Sequence, residues 1–115
     1  MTSTELNRLL FKSLPSLQAK YLEEVSWQEG DSTGSHTVFG DVLTPFLAEC
    51  IQGAKHHEMK VIFEFIERVL ELEDSYADEV IALSVFESIA QLFKDNPDIT
   101  LLLGERSRQV LYDVL

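Results

Sequence analysis

The residues of this 115-residue chain with the most chemical potential are carboxylates crowded into one segment. Between positions 64 and 79 the only cation is Arg68, among seven acidic side chains. These are Glu64, Glu67, Glu71, Glu73, Asp74, Asp78 and Glu79. Such a cluster could hold a metal ion, transfer protons or attract a cationic partner. The segment lacks the glycine and the alternating carboxylates of a calcium loop, which disfavours calcium.

Two interpretations of this cluster remain: a solvated turn of an acidic protein, or an anionic docking surface for a basic protein. Asp78 and Glu79 fall in the first turn of a predicted helix, where negative charge is favoured. Glu71 and Glu73 fall at a predicted helix C-terminus, where negative charge is disfavoured, so a reason other than helix stability would keep them there. We follow the docking interpretation and add Glu29 and Asp31 as a second candidate patch.

Histidine and cysteine offer little for catalysis or metal binding. Side chains of the adjacent His56 and His57 point about 100° apart on a helix, and no HExxH motif or cysteine pair accompanies them. Cys50 lies in an apolar pattern, which predicts a buried thiol and not a nucleophile. We therefore expect no catalytic residue, no metal and no cofactor. A small hydrolase would need a deep pocket with converging acids or a histidine.

A few other side chains leave alternatives open. Glu87 is the lone charge between residues 80 and 93, so it is either buried beside an arginine near the C-terminus or turned outward on a polar strip. Trp27, Tyr21 and Phe39 flank a polar loop, where they could serve as interface anchors or as ordinary core residues.

The overall charge limits the class of partner. Nine Lys and Arg against twenty Asp and Glu give a formal charge of −11, which repels nucleic acids and anionic lipids and attracts basic proteins. A single cysteine excludes an internal disulfide, and we find no signal peptide and no apolar run of roughly 18 residues that could span a bilayer. We expect a cytoplasmic protein that is a monomer when free.

The elements that must position these residues are helices. Apolar residues recur at helical spacing, and neither strand alternation nor hairpin turns occur. The predicted helices cover residues 4–13, 16–27, 41–52, 57–72, 76–93 and, interrupted at Gly104, 99–115. Pro15 should end the first, and the expected N-caps are Ser3 or Thr4, then Ser16, then Asp41.

Two of these helices should form the centre of the fold. The helix at 57–72 leaves only a narrow polar strip, and the helix at 76–93 is apolar almost all round. We predict an all-α domain over residues 1–115, a compact bundle of about five to six helices. Its fourth and fifth helices should form a central antiparallel pair.

The stretches SHTVFGDVLTPFLAECI, VIALSVFESIAQL and LLLGERSRQVL resemble a family of small bacterial helical proteins. The resemblance runs from about residue 35 to the C-terminus. That family is similar to the immunity proteins encoded beside polymorphic toxins, including those of contact-dependent growth inhibition. The matching positions have a structural character and carry no functional role over. They are Phe39, Gly40, Asp41, Ser84, Glu87, Leu103 and Gly104.

The resemblance and the charge together lead to a functional hypothesis. The chain is expected to be a non-enzymatic immunity protein that binds a cognate toxin domain, a basic nuclease, and occludes its active site with phosphate-mimicking carboxylates. The alternative is an adaptor or regulatory protein of another pathway, in which the acidic surface serves only solubility.

Overall fold

The computed structural model describes the backbone of residues 1–115 and every side chain except that of Asp31. Within that description the chain is helical and has no strand, so the predicted all-α class is confirmed. The α-helices are α1 (Ser3–Ser13), α2 (Gln18–Ser26), α3 (Ser35–Val38), α4 (Thr44–Gln52), α5 (His56–Glu71), α6 (Ser75–Glu79), α7 (Ala90–Asp95) and α8 (Glu105–Val114). Two π-helical segments, Phe39–Leu43 and Val80–Phe86, are called the first and second π segments.

The N-terminal helices are set by a cap and a proline. Thr2, one residue before the expected caps, forms a capping box with Glu5 at the start of α1. The helix stops before Pro15 as predicted. The expectation that Ser16 caps the next helix is wrong, because α2 begins at Gln18. Ser16 lies instead in a 3₁₀ turn, Pro15–Leu17, where it cannot take the extended backbone of an N-cap.

The predicted third helix begins six residues earlier than expected. It starts with α3 at Ser35 and passes through the first π segment, so Asp41 lies inside it and the prediction that Asp41 is an N-cap is wrong. Pro45 has no N–H, so a regular α-helical ladder cannot continue through it. Thr44 secures this irregular stretch, because its hydroxyl donates to the carbonyl oxygen of Ser84 at 2.7 Å.

The buried apolar side chains form one core to which the N-terminal, middle and C-terminal helices all contribute. Helix α5 packs chiefly on α4 and α8, while the second π segment packs on the first π segment and on α8. The predicted antiparallel pair is therefore not confirmed. The predicted count of five to six helices is not confirmed either, because the two π segments divide the predicted third and fifth helices.

A buried polar network holds the predicted connector at residues 28–36. The side-chain amide of Asn7 donates to the carbonyl oxygen of Thr33 at 2.7 Å, and the hydroxyl of Ser35 donates to the Asn7 side-chain oxygen at 2.8 Å. All three residues are buried. Since these bonds cross from α1 to the connector, they hold α3 and the first π segment in place. No helix among the described residues is long and apolar enough to cross a bilayer.

Candidate functional site

The seven carboxylates at positions 64–79, called here the acidic junction, lie on α5, on α6 and in the turn between them. Glu67 is committed to the fold. Its carboxylate accepts hydrogen bonds from the Ser107 backbone N–H at 2.9 Å and hydroxyl at 2.7 Å, and a longer one from the Arg106 backbone N–H. The α8 N-cap is Gly104, which has no side chain, so Glu67 supplies the cap from another helix.

Glu73 and Asp74 also bind within the chain. The Arg106 guanidinium donates to Glu73 at 2.7 Å, and this carboxylate, with its neighbours, raises the pKa of Arg106. Asp74 caps α6 by accepting from the Ala77 N–H at 2.9 Å, and its other oxygen lies 2.7 Å from the amino group of Met1. The bond from that amino group, then the bond from Ala77, lowers the pKa of Asp74.

The remaining members differ in their surroundings. Glu79 lies 4.0 Å from the His36 ring nitrogen Nε2, at the edge of an ion-pair contact. Glu64 and Glu71 are exposed, and no hydrogen bond or ion pair engages their side chains within the described part of the chain. Asp78 is half-buried, and its Oδ1 atom is buried without a hydrogen-bond partner among the described residues. Burial, then the charge of Asp74, raises the pKa of Asp78.

We expect Asp78→Asn to stabilise the protein at neutral pH. An acid whose pKa is raised by folding opposes folding above that pKa, and the penalty vanishes as pH falls and the carboxyl is protonated. The melting temperature should rise by roughly 1–3 °C at neutral pH and should not change in acid below the pKa of Asp78. The exposed neighbour Glu79→Gln is the control for loss of one charge. An equal gain in both variants, or a gain that persists in acid, would contradict this assignment.

Contacts within the chain thus engage more of the acidic junction than the sequence suggests, and its use as a docking surface stays a prediction. Three carboxylates serve as caps or ion-pair partners within the fold, and a fourth sits beside a histidine. Glu64 and Glu71 are the two exposed members of the junction that no hydrogen bond or ion pair engages among the described residues. In the second predicted patch Glu29 is exposed, whereas the side chain of Asp31 lies outside the described part of the structure.

A different anionic site lies between α2 and the first π segment. Trp27 caps the C-terminus of α2 and is 81% exposed, whereas Tyr21 and Phe39, the other two possible anchors, are buried in the core. A cavity of about 280 Å³ opens beside Trp27 and is called here the Trp27 pocket. It is lined by Lys20, Glu23, Glu24, Trp27, Asp41 and Val42.

The Trp27 pocket contains a carboxyl pair. A hydrogen bond with Asp41 is the first cause that raises the pKa of Glu24, and burial and the charges of Asp41 and Glu23 raise it further. Two carboxyl groups can hydrogen-bond directly only when one is protonated, so the ionised pair repels itself. Lys20 is the one cation against three acids in the lining. A cation entering the pocket would relieve this repulsion.

Sequence reasoning missed this pocket for an identifiable reason. Glu23, Glu24 and Trp27 lie within one turn of α2, which a helical projection can show. Asp41 comes from the first π segment. Because the sequence suggested that Asp41 is an N-cap, it was not considered as part of a site with α2. Among the described residues no group of three or more histidine, cysteine, aspartate or glutamate side chains is placed to hold a metal ion.

A family model described as Domain of unknown function (DUF7674) matches residues 7–114. The chain belongs to the DUF7674 family. No curated protein and no solved structure matches it. Of the seven positions expected to be structural in this DUF7674 chain, Phe39 and Leu103 are buried in the core, and Gly40 lies beside Ser84 across the two π segments. The side chains of Asp41 and Glu87 are instead exposed.

The other predicted candidates occupy ordinary positions in the DUF7674 fold. Cys50 is buried as expected, and burial raises the pKa of its thiol, which makes it a poor nucleophile. His56 and His57 are exposed on the first turn of α5. Glu87 is exposed, so the outward alternative is correct for that residue.

Proposed function

We propose that this DUF7674 chain is a non-enzymatic binding protein that captures a basic protein partner in the cytoplasm. The observation that carries the proposal is the Trp27 pocket, where an open aromatic face adjoins three carboxylates. A tryptophan side chain that is so exposed contributes little to the packing of the fold. Tryptophan is also among the residues most enriched at the energetic centre of protein interfaces.

The chemistry of the pocket selects a cationic side chain. The indole face attracts a guanidinium or ammonium group through the ring quadrupole, and nearby carboxylates can accept its hydrogen bonds. The charge of −11 adds long-range attraction, which speeds encounter with a basic protein and weakens as salt is added. Glu29, an exposed carboxylate two residues from Trp27, would extend the contact beyond the pocket.

The identity of the partner is a further part of the proposal. The resemblance to immunity proteins favours a cognate toxin domain, a nuclease with a basic substrate cleft, which the carboxylates would occlude in place of nucleic-acid phosphates. An adaptor or regulatory role is the alternative, and the same pocket would serve it. The two differ in the partner and not in the recognition chemistry.

Binding by the pocket can be tested with a nona-arginine peptide. Trp27 is the only tryptophan, so its fluorescence reports directly on occupancy. Glu23→Lys combined with Asp41→Lys is expected to weaken peptide binding at least tenfold, because the pocket changes from anionic to cationic. The matched control is Glu49→Lys with Glu58→Lys, which changes acids outside the pocket by the same total charge. Equal weakening by both pairs would show general charge attraction and refute a specific pocket.

The toxin partner needs a separate test. The toxin gene nearest to this gene is expressed alone, with the wild-type chain, or with the Glu23→Lys and Asp41→Lys variant, and growth is measured. Rescue by the wild type and by the control pair, together with failure of the pocket variant, is the expected result. Absence of rescue by the wild type would reject that toxin as partner, while peptide binding would still support the pocket.

A further inference from the structure

A second surface, formed around α1, is apolar with cations at its centre. Two grooves border this helix, with volumes of about 530 Å³ and 410 Å³. The larger is lined by Arg8, Phe11, Lys12, Tyr21 and Leu22. The smaller is lined by Met1, Glu5, Arg8, Leu9, Lys12 and Leu72. Because Arg8 and Lys12 line both grooves, α1 forms a ridge between them.

The ridge carries more positive than negative charge, although the net charge of the chain is −11. Glu5, Arg8 and Lys12 are exposed at spacings of three and four residues, which places them in one stripe along α1. In the described part of the chain, no hydrogen bond or ion pair engages the side chain of Arg8 or Lys12. Leu22 and Leu72, on the outer walls of the two grooves, are 51% and 52% exposed.

We propose that α1 is the interface of a homodimer, in which the α1 helices of two copies pack antiparallel across a two-fold axis. This surface is separate from the Trp27 pocket, so the proposal does not depend on the proposed function. The proposed dimer differs from the monomeric state that we expected from the sequence for the free protein. A two-fold interface must be complementary to itself, and the stripe on α1 meets that requirement.

The register follows from the spacing of the charges. With the two-fold axis between Arg8 and Leu9, the antiparallel arrangement places Glu5 of each copy opposite Lys12 of the second copy. The same register places Leu9 against the aliphatic stem of Arg8, so an apolar contact lies at the centre between two ion pairs. Arg8 is one helical turn from Lys12, which brings a second cation within reach of each glutamate.

Net charge favours this face over others as the place of contact. Two chains of −11 repel each other, so they can associate only where their facing surfaces do not set carboxylates against carboxylates. The α1 stripe has two cations for one acid, and the flanking grooves supply apolar area. Salt should therefore strengthen the dimer by screening the net repulsion, whereas salt should weaken the binding of a basic partner.

The test uses two variants whose charges complement only each other. In the dimer of Lys12→Glu two carboxylates would face each other at each end of the contact, and in the dimer of Glu5→Lys two ammonium groups would do so. Each variant alone should therefore be monomeric. In a 1:1 mixture both contacts pair groups of opposite charge. Sedimentation equilibrium should show dimers in the mixture with a dissociation constant at least tenfold lower than for either variant alone.

Controls separate this interface from general charge effects. Glu5→Lys also removes the α1 capping box, so the melting temperature of each variant is measured to confirm that it is folded. Lys94→Glu, an exposed cation on α7, repeats the charge change of Lys12→Glu away from α1 and should leave the wild-type dimer intact. A wild-type chain that keeps the monomer mass at millimolar concentration, or a mixture no tighter than its components, would overturn the proposal.

Discussion

Trp27→Ala is expected to weaken the binding of a basic partner by at least thirtyfold without changing the fold. The indole is 81% exposed, so its loss removes little packing from the folded state. In the complex it would be desolvated against a cationic side chain, which is the situation in which tryptophans contribute most to affinity. Because the variant has no tryptophan, binding is followed by titration calorimetry with nona-arginine and with the toxin domain that we propose as partner.

Tyr112→Ala provides the control for this prediction. Tyr112 is 64% exposed and lies on α8, outside the lining of the Trp27 pocket. It should leave both affinity and melting temperature close to wild type. If Trp27→Ala bound as tightly as Tyr112→Ala, the pocket would not be the centre of the interface. A large fall in melting temperature would instead assign Trp27 a structural role.

The pocket and the acidic junction use carboxylates in opposite ways. In the junction, Glu67 and Asp74 cap helices and so stabilise the fold. In the pocket, a hydrogen bond with Asp41, then burial and the charge of Asp41, raises the pKa of Glu24, so the two carboxylates repel each other when both are ionised. The fold accounts for carboxylates that cap helices, whereas the carboxyl pair of the pocket caps no helix. This contrast is why the proposed contact is centred on Trp27 and not on the junction.

The sequence was sufficient for the helical class and for most of the helix positions, because both follow from local periodicity. The helix predicted at 57–72 is α5 (His56–Glu71), shifted by one residue at each end. The π segments could not be predicted, since they depend on contacts between distant residues such as Thr44 and Ser84. The early start of the third helix also involves residues distant in sequence, because Ser35 binds Ser3 and Asn7 of α1.

The candidate site was predictable only in part, again for reasons of distance along the chain. Counting charges locates the acidic junction, but it cannot show that Glu67 and Glu73 bind residues of α8, more than thirty positions away. The Trp27 pocket joins α2 to the first π segment. Its carboxyl pair becomes visible only when Glu24 and Asp41 are placed side by side by the tertiary fold.

The second large effect is expected on stability, from Gly104→Ala. The backbone at Gly104 has φ −72° and ψ 175°, which suits any residue, so conformational strain plays no part. A β-carbon there would overlap the Glu67 side chain, including the carboxylate that caps α8. Glu67 must then move and leave the Ser107 N–H without its partner. We expect a loss of about 1–2 kcal/mol, the usual cost of a lost N-cap, and a melting temperature lower by roughly 4–8 °C.

A double-mutant cycle tests this mechanism directly. Glu67→Ala removes the same cap and should cost a similar free energy of unfolding. Once Glu67 is alanine, the space beside Gly104 is open, so adding Gly104→Ala should cost little more. The two changes are therefore expected to be strongly non-additive, with a coupling of about 1 kcal/mol in chemical denaturation. Additive losses would show that Gly104 acts through some contact other than Glu67, and the capping of α8 by Glu67 would then need another explanation.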